Sequence, residues 1–109
     1  MSLLGHTIPD PVGVFLGTRY LRFESPIGLQ GLARPTGERL DVLAVYSGRS
    51  RSGRLRAFIA AAKLEYRTIC VWHIDNPIVH DALLRYGFTP EVQIDEFGEV
   101  LKGLRWDKP

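Results

Sequence analysis

Arginines are concentrated in one Gly- and Ser-containing segment. Four arginines and no acidic residue lie between positions 49 and 56, although the formal net charge of the chain is only +2. The segment follows a predicted strand and opens a predicted helix, so it offers backbone N–H groups and the positive end of a helix dipole. A phosphate group would accept hydrogen bonds from those N–H groups and from guanidinium groups. We therefore predict an anion site that includes Arg49, Arg51 and Arg54. A solvated basic surface loop is the alternative.

A second group of chemically versatile side chains lies around position 73. Cys70, His73 and His80 have types that bind metals, but a structural zinc site needs four ligands and the chain has no second pair at suitable spacing. We therefore predict no metal. The apolar pattern around Cys70 predicts a buried thiol without a lowered pKa. His73, at the end of the same predicted strand, has the intrinsic pKa of a general base. The alternative is that His73 makes structural contacts only.

The elements that must position these residues follow from hydrophobic periodicity and turn residues. Residues 53–66 have apolar positions at helical spacing, and a second helix has Asn76 as N-cap, Pro77 at its first position and Gly87 at its end. Strands are predicted at 18–24, 29–33, 40–46, 69–74, 88–94 and 100–106. The pattern predicts an α/β protein with a mixed sheet of about six strands, two helices and a C-terminal hairpin.

Composition limits the organisation of the chain. Its 109 residues, 45% of them hydrophobic and 24% charged, suit one globular domain over 1–109. The Pro-containing residues 1–11 are predicted to be a loose lead. No apolar run reaches the length of a membrane span, and we predict no membrane partner. Cys70 is the only cysteine, which excludes an internal disulfide and favours a cytoplasmic location.

The order of these motifs resembles the GNAT family of N-acetyltransferases. Asn76, an apolar helix, Gly87-Phe88 and a following strand match the end of that domain, and Gly53, Phe58 and Ile59 match its pyrophosphate loop and the helix after it. The resemblance covers about residues 40–106. It implies that strands 40–46 and 69–74 are parallel, are joined by a right-handed helical crossover, and diverge toward their C-terminal ends.

The resemblance also implies a cofactor, acetyl-CoA, lying between the two diverging strands. The backbone of Ala44, Val45 and Tyr46 would pair with the pantetheine arm. The loop carrying Arg49, Arg51, Gly53 and Arg54 would hold the pyrophosphate, and Asn76 would be a further cofactor contact. An unidentified amine would attack the thioester, with His73 as candidate base and Tyr86 as candidate proton donor to the thiolate. Cys70 is a second candidate donor.

The sequence departs from the family pattern at three positions and in its first 45 residues. Ser50 replaces the family's Arg or Gln, Leu55 replaces a small residue, and Leu83 stands where a catalytic tyrosine is common. The N-terminal helices that build an acceptor pocket are also missing. The alternative is therefore a catalytically silent GNAT-like protein, similar to small phage proteins that serve in virion assembly or bind a protein partner. Pairing into a homo-oligomer through the hairpin edge is a further expectation.

Binding of nucleic acid is the least favoured function for this sequence. The arginine-rich segment could contact phosphates, but no interleaved aromatic residues provide a stacking surface. The low net charge is also atypical of a protein whose affinity comes from phosphate contacts.

Overall fold

A computed structural model describes residues 3–15, 18–47, 53–95 and 97–109. Within these ranges the chain forms seven strands and two helices. In chain order they are β1 His6–Phe15, β2 Thr18–Glu24, β3 Leu29–Thr36, β4 Arg39–Ser47, α1 Arg54–Glu65, β5 Thr68–Trp72, α2 Pro77–Arg85, β6 Thr89–Ile94 and β7 Val100–Asp107. The predicted mixed sheet with two helices and a C-terminal hairpin is confirmed, with seven strands rather than about six.

All seven strands belong to one sheet with the order β1-β2-β3-β4-β5-β7-β6. Neighbours are antiparallel except β4 and β5, which pair in parallel from Arg39↔Thr68 to Val42↔Val71. The predicted parallel pairing of these two segments is therefore confirmed. A parallel pair needs a long crossover, and α1 supplies it between β4 and β5.

The N-terminal segment is not the loose lead that its prolines predicted. His6–Phe15 is a strand, β1, that pairs with β2, and Leu3 and Leu4 before it are buried. Prolines are tolerated here because β1 lies at the edge of the sheet, where a missing N–H can face away from the neighbouring strand. The pairing register also shifts between Pro9 and Val14.

The main core lies between one face of the sheet and the two helices. Strand residues from the centre of the sheet meet Phe58, Ile59 and Ala62 of α1 and Leu83 of α2 in one buried cluster. The ring of Phe58 stacks on that of Phe23 from β2, with centroids 5.5 Å apart. Among the described residues, a smaller cluster on the opposite face, here called the helix-free face, contains no residue of either helix. Its members are Cys70, Trp72 and Leu101, with Tyr20 and Leu43 packed against them.

The ends of α2 are formed by local hydrogen bonds that the sequence signals predicted. Asn76 Oδ1 accepts from the N–H of Ile78 at 2.9 Å, and Pro77 follows at the first helical position. At the other end Gly87 has φ +94, a left-handed conformation that favours glycine. The N–H of Phe88 donates to the carbonyl of Leu83, which completes a Schellman-type C-terminus. The predicted boundaries of α2 are therefore confirmed.

The two helices are short. With 12 and 9 residues, α1 and α2 are well below the length needed to cross a bilayer, and the described ranges contain no helix that could do so.

Candidate functional site

Strands β4 and β5 share a ladder only over their first four residues. The last register pair is Val42↔Val71, yet β4 continues to Ser47. On its other side β4 has one extra residue, Leu43, because Leu32 pairs with Ala44 whereas Ala33 pairs with Val42. Such a bulge bends a strand and increases its twist. In the described part of the chain, residues 43–47 of β4 therefore extend past the ladder with β5.

The end of β5 stays with its other neighbour. The N–H of His73 donates to the carbonyl of Lys102 in β7 at 3.1 Å, one residue beyond the end of β5. His73 itself has φ +54, which is uncommon for a residue with a side chain. The chain thus follows β7 after Trp72, and then turns into α2.

The candidate pantetheine contacts lie on the extended part of β4. Ala44, Val45 and Tyr46 pair with Leu32, Gly31 and Gln30 of β3. The side chain of Val45 packs on the main core. Gly31 allows a close approach here, because a Cβ at that position would lie 2.0 Å from the carbonyl oxygen of Ala44. The bulged part of β4 is therefore held against β3. Its other edge lies on the side of β5, beyond the end of the ladder between the two strands.

The N-terminus of α1 lies in the connection that follows β4. Its N-cap is Gly53, which has φ +72, makes no side-chain cap hydrogen bond and has open space where a Cβ would be. The first turn of the helix has no acidic residue. Arg54 Nη1 lies 3.5 Å from the carbonyl oxygen of Gly28, so its guanidinium rests on the turn between β2 and β3. Arg49, Ser50 and Arg51 lie outside the described residues.

The two departures from the family pattern on the helices both face the core. Leu55 is half-buried and packs on the main cluster, and Leu83 is fully buried. Asn76 uses its side-chain oxygen as the cap of α2, which leaves its amide N–H groups for any cofactor contact.

The two candidate catalytic residues lie at opposite ends of β5. His73 is exposed and follows its C-terminal end. Tyr86 is at the other end, since its carbonyl accepts from Lys63, and the neighbouring Gly87 lies close to the Trp106 ring, which pairs with Ile69. His73 lies four residue steps beyond Ile69, about 13 Å at the usual rise of a strand. The structure does not bring the two side chains together at one reacting atom.

A charged cluster on the helix-free face is the feature that sequence reasoning missed. Asp41 of β4 is fully buried and accepts from Trp72 Nε1 at 2.9 Å, from Arg39 Nη2 at 2.9 Å and from Arg34 Nη1 at 3.2 Å. It joins β3, β4 and β5. The available signal was a single carboxylate in an otherwise apolar central strand, which requires buried partners.

Cys70 lies beside this cluster and is fully buried. Its burial raises the pKa of the thiol to about 11, outweighing the attraction of the nearby Arg39 guanidinium. The prediction of a buried thiol without a lowered pKa is confirmed. A protonated thiol at neutral pH can donate a proton but is a poor nucleophile.

Two cavities open elsewhere on the sheet. One of about 520 Å³ is lined by residues of β1, β2 and β3, including His6, Asp10 and Glu24. The other, about 310 Å³, lies between α2 and the β6–β7 hairpin and includes His80 and Lys102. Of the predicted cofactor contacts that the structure describes, Ala44, Val45, Gly53, Arg54 and Asn76 line neither cavity. Among the described residues, no group of His, Cys, Asp and Glu side chains could hold a metal ion.

Comparisons with known proteins give no family for this chain. No protein-family model, no curated protein and no solved structure matches it.

Proposed function

We propose that the chain is a GNAT-like protein that binds acyl-coenzyme A between residues 43–47 of β4 and the end of β5. The observation that carries the proposal is a parallel strand pair that loses its ladder after four residues, next to the start of a helix without a side-chain cap. An extended pantetheine chain carries amide groups that can hydrogen-bond to strand backbone. The N–H groups at the start of α1 can donate hydrogen bonds to the negatively charged pyrophosphate.

Arg54 is the described side chain best placed to add charge to that anion site. It lies at the first position of α1 and no acidic residue in the first turn competes for it. Its contact with the Gly28 carbonyl is long, at 3.5 Å, so little energy opposes its reorientation toward a phosphate. Arg49 and Arg51 precede it in the chain and are proposed to contribute further charge. A reducing cytoplasm is the proposed compartment.

Transfer of an acetyl group to an amine would follow from this binding mode. A neutral amine attacks the thioester carbonyl, the C–S bond breaks, and the thiolate takes up a proton as coenzyme A leaves. The chain's contribution would be mainly positioning and hydrogen bonds to the oxyanion from backbone N–H groups. His73, at the C-terminal end of β5, is the proposed base.

The second candidate function is binding without transfer. Leu83 is buried in the core at the position where the family often has a catalytic tyrosine, and Tyr86 lies at the far end of β5 from His73. These two placements favour a silent GNAT-like protein that has kept the fold for assembly or for binding a partner. The two candidates differ in whether coenzyme A is released from acetyl-CoA.

Calorimetry with acetyl-CoA tests the proposal. We expect saturable binding, weakened about 10- to 100-fold in Arg54→Ala if the guanidinium makes a charge-assisted hydrogen bond to the pyrophosphate. Arg85→Ala, at the last turn of α2, is the matched control and should bind as the wild type does. Absence of saturable binding at millimolar acetyl-CoA would refute the proposed function.

Release of free thiol distinguishes the two candidates once binding is established. Incubation with acetyl-CoA and a panel of primary amines should release coenzyme A faster than a protein-free control if transfer occurs. His73→Gln should then lower the rate and leave the affinity for acetyl-CoA unchanged. Binding with no thiol release on any amine would favour the silent alternative.

A further inference from the structure

The hydrogen bond between Trp72 and Asp41 spans the point where β4 and β5 separate. Trp72 is the last residue of β5 and lies one position beyond the final register pair, Val42↔Val71. Its indole Nε1 reaches back across the helix-free face to Asp41 Oδ1 at 2.9 Å. Asp41 is opposite Cys70 in the ladder, so this bond links the end of β5 to a position inside the ladder.

Several hydrogen bonds from arginines hold the acceptor of this bond in place. The Asp41 carboxylate is anchored within β4 by Arg39 Nε and Nη2 and across to β3 by Arg34 Nη1. Asp41 is fully buried and Trp72 is 1% exposed, so water competes little for the bond. The indole itself packs with Cys70 and Leu101, which restricts its movement.

We infer that Trp72 and Asp41 are positioning residues that set where the parallel strands part. Two features act to separate the strands at this point. The bulge at Leu43 bends β4, and the chain at His73 stays hydrogen-bonded to β7. The Trp72–Asp41 bond opposes their further separation and stops the opening at Val42 and Val71. It thereby fixes the position at which residues 43–47 leave the ladder with β5.

The effect on ligand binding rests on the proposed function. The positioning of the two strands by this bond does not depend on it. If acyl-coenzyme A lies between the strands, the bond presents the backbone of residues 44–46 at a fixed separation from β5 before the ligand arrives. Such preorganisation raises affinity because the cost of ordering the site has already been met. Trp72 would then affect coenzyme A binding from the opposite face of the sheet, without touching the ligand.

Amide hydrogen exchange measures the opening directly. In Trp72→Phe, which keeps an aromatic ring but has no N–H, we expect residues 41–42 and 70–72 to exchange about tenfold or more faster. Amides in the β2–β3 ladder should keep their wild-type rates. A variant with benzothienylalanine at position 72 retains the size of the indole and loses only the donor, so it separates the bond from the packing.

Trp106→Phe is the matched control. Trp106 pairs with Ile69 at the other end of β5 and belongs to the main core on the helix face. We expect its replacement to leave exchange at residues 41–42 unchanged. Equal amide exchange rates at residues 41–42 and 70–72 in the wild type and in the benzothienylalanine variant would overturn the inference. This holds whether or not the protein binds coenzyme A.

Calorimetry with coenzyme A then separates this inference from the proposed function. We expect the position-72 variants to bind coenzyme A at least about threefold more weakly than the wild type and than Trp106→Phe. Faster ladder exchange in a protein whose wild type does not bind coenzyme A would refute the proposed function and support the strand-positioning role. Faster exchange with unchanged affinity would overturn the claim that the bond prepares the ligand site.

Discussion

At the scale of single residues, burial decides the chemistry of the two polar groups in the central strands. Cys70 is surrounded by protein, and desolvation of the thiolate holds its pKa at about 11. Asp41 is equally buried, yet it has two guanidinium groups and an indole N–H as partners. The thiol therefore stays neutral, while the carboxylate accepts hydrogen bonds from three side chains.

Alkaline unfolding tests the environment of Cys70. A thiol pKa that is higher in the folded protein than the ordinary value of 9.0 means that only the unfolded chain loses the proton between pH 9 and about 11. Stability is therefore retained below pH 9 and falls as the pH rises through this window, by about 3 kcal/mol from this group. Urea unfolding of the wild type and of Cys70→Ala should show that the variant loses less stability over the same range.

Tyr66 acts in the same direction, because burial also raises the pKa of its phenol. Both proteins retain Tyr66, so its contribution cancels in the difference between the two pH profiles. Parallel profiles for the wild type and Cys70→Ala would contradict the assigned environment of the thiol. Thiol reagents should likewise label Cys70 only when the protein unfolds.

Removal of the Asp41 carboxylate should be much more costly than removal of a surface carboxylate. Asp41→Ala leaves Arg34 and Arg39 without their buried partner, so we expect a loss of about 3–5 kcal/mol in the free energy of unfolding. Asp107→Ala is the matched control, because Asp107 accepts from Arg105 at 2.9 Å but its side chain is 54% exposed. The control should lose at most about 1 kcal/mol. Similar losses in urea unfolding would show that the Asp41 cluster is not a buried network.

At the scale of elements, local signals predicted some segments well. The cap, the first-position proline and the terminal glycine of α2 act through bonds to near neighbours, so a single sequence was enough to predict its bounds. β1 was missed because its prolines are compatible with a strand only at a sheet edge. The edge position depends on the whole strand order, which no local pattern contains.

The N-cap of α2 provides a prediction at this scale. Asn76→Ala removes the side-chain acceptor of the Ile78 N–H and should lower the free energy of unfolding by about 1 kcal/mol. Asn76→Asp keeps an oxygen in that place and adds a negative charge at the helix N-terminus, so it should retain or slightly raise stability. Equal destabilisation of both variants in urea unfolding would mean that the cap bond is unimportant.

At the scale of the whole molecule, the candidate site shows where prediction from the sequence ends. The parallel pairing of β4 and β5 was expected from the family resemblance, with a helix predicted between the two apolar strands. The extra residue at Leu43 and the reach of Trp72 to Asp41 depend on cross-strand register instead. One residue of shift would place these side chains on the other face, so local patterns alone could not predict the contacts.

The N-terminal residues should contribute to the stability of the whole domain. Leu4 is 3% exposed within the main core, and the neighbouring Leu3 N–H donates to Glu65 Oε1 at the end of α1. Leu4→Ala should therefore leave a cavity and cost about 2–5 kcal/mol in urea unfolding. Leu64→Ala removes the same atoms from a side chain that is 84% exposed and should change stability by less than about 0.5 kcal/mol.

If both variants unfold like the wild type, the segment before β1 does not belong to the cooperative core, and the loose lead indicated by its prolines would be the better description in solution. A large loss for Leu4→Ala alone would instead show that the core between the sheet and α1 is complete only when this segment is packed against it.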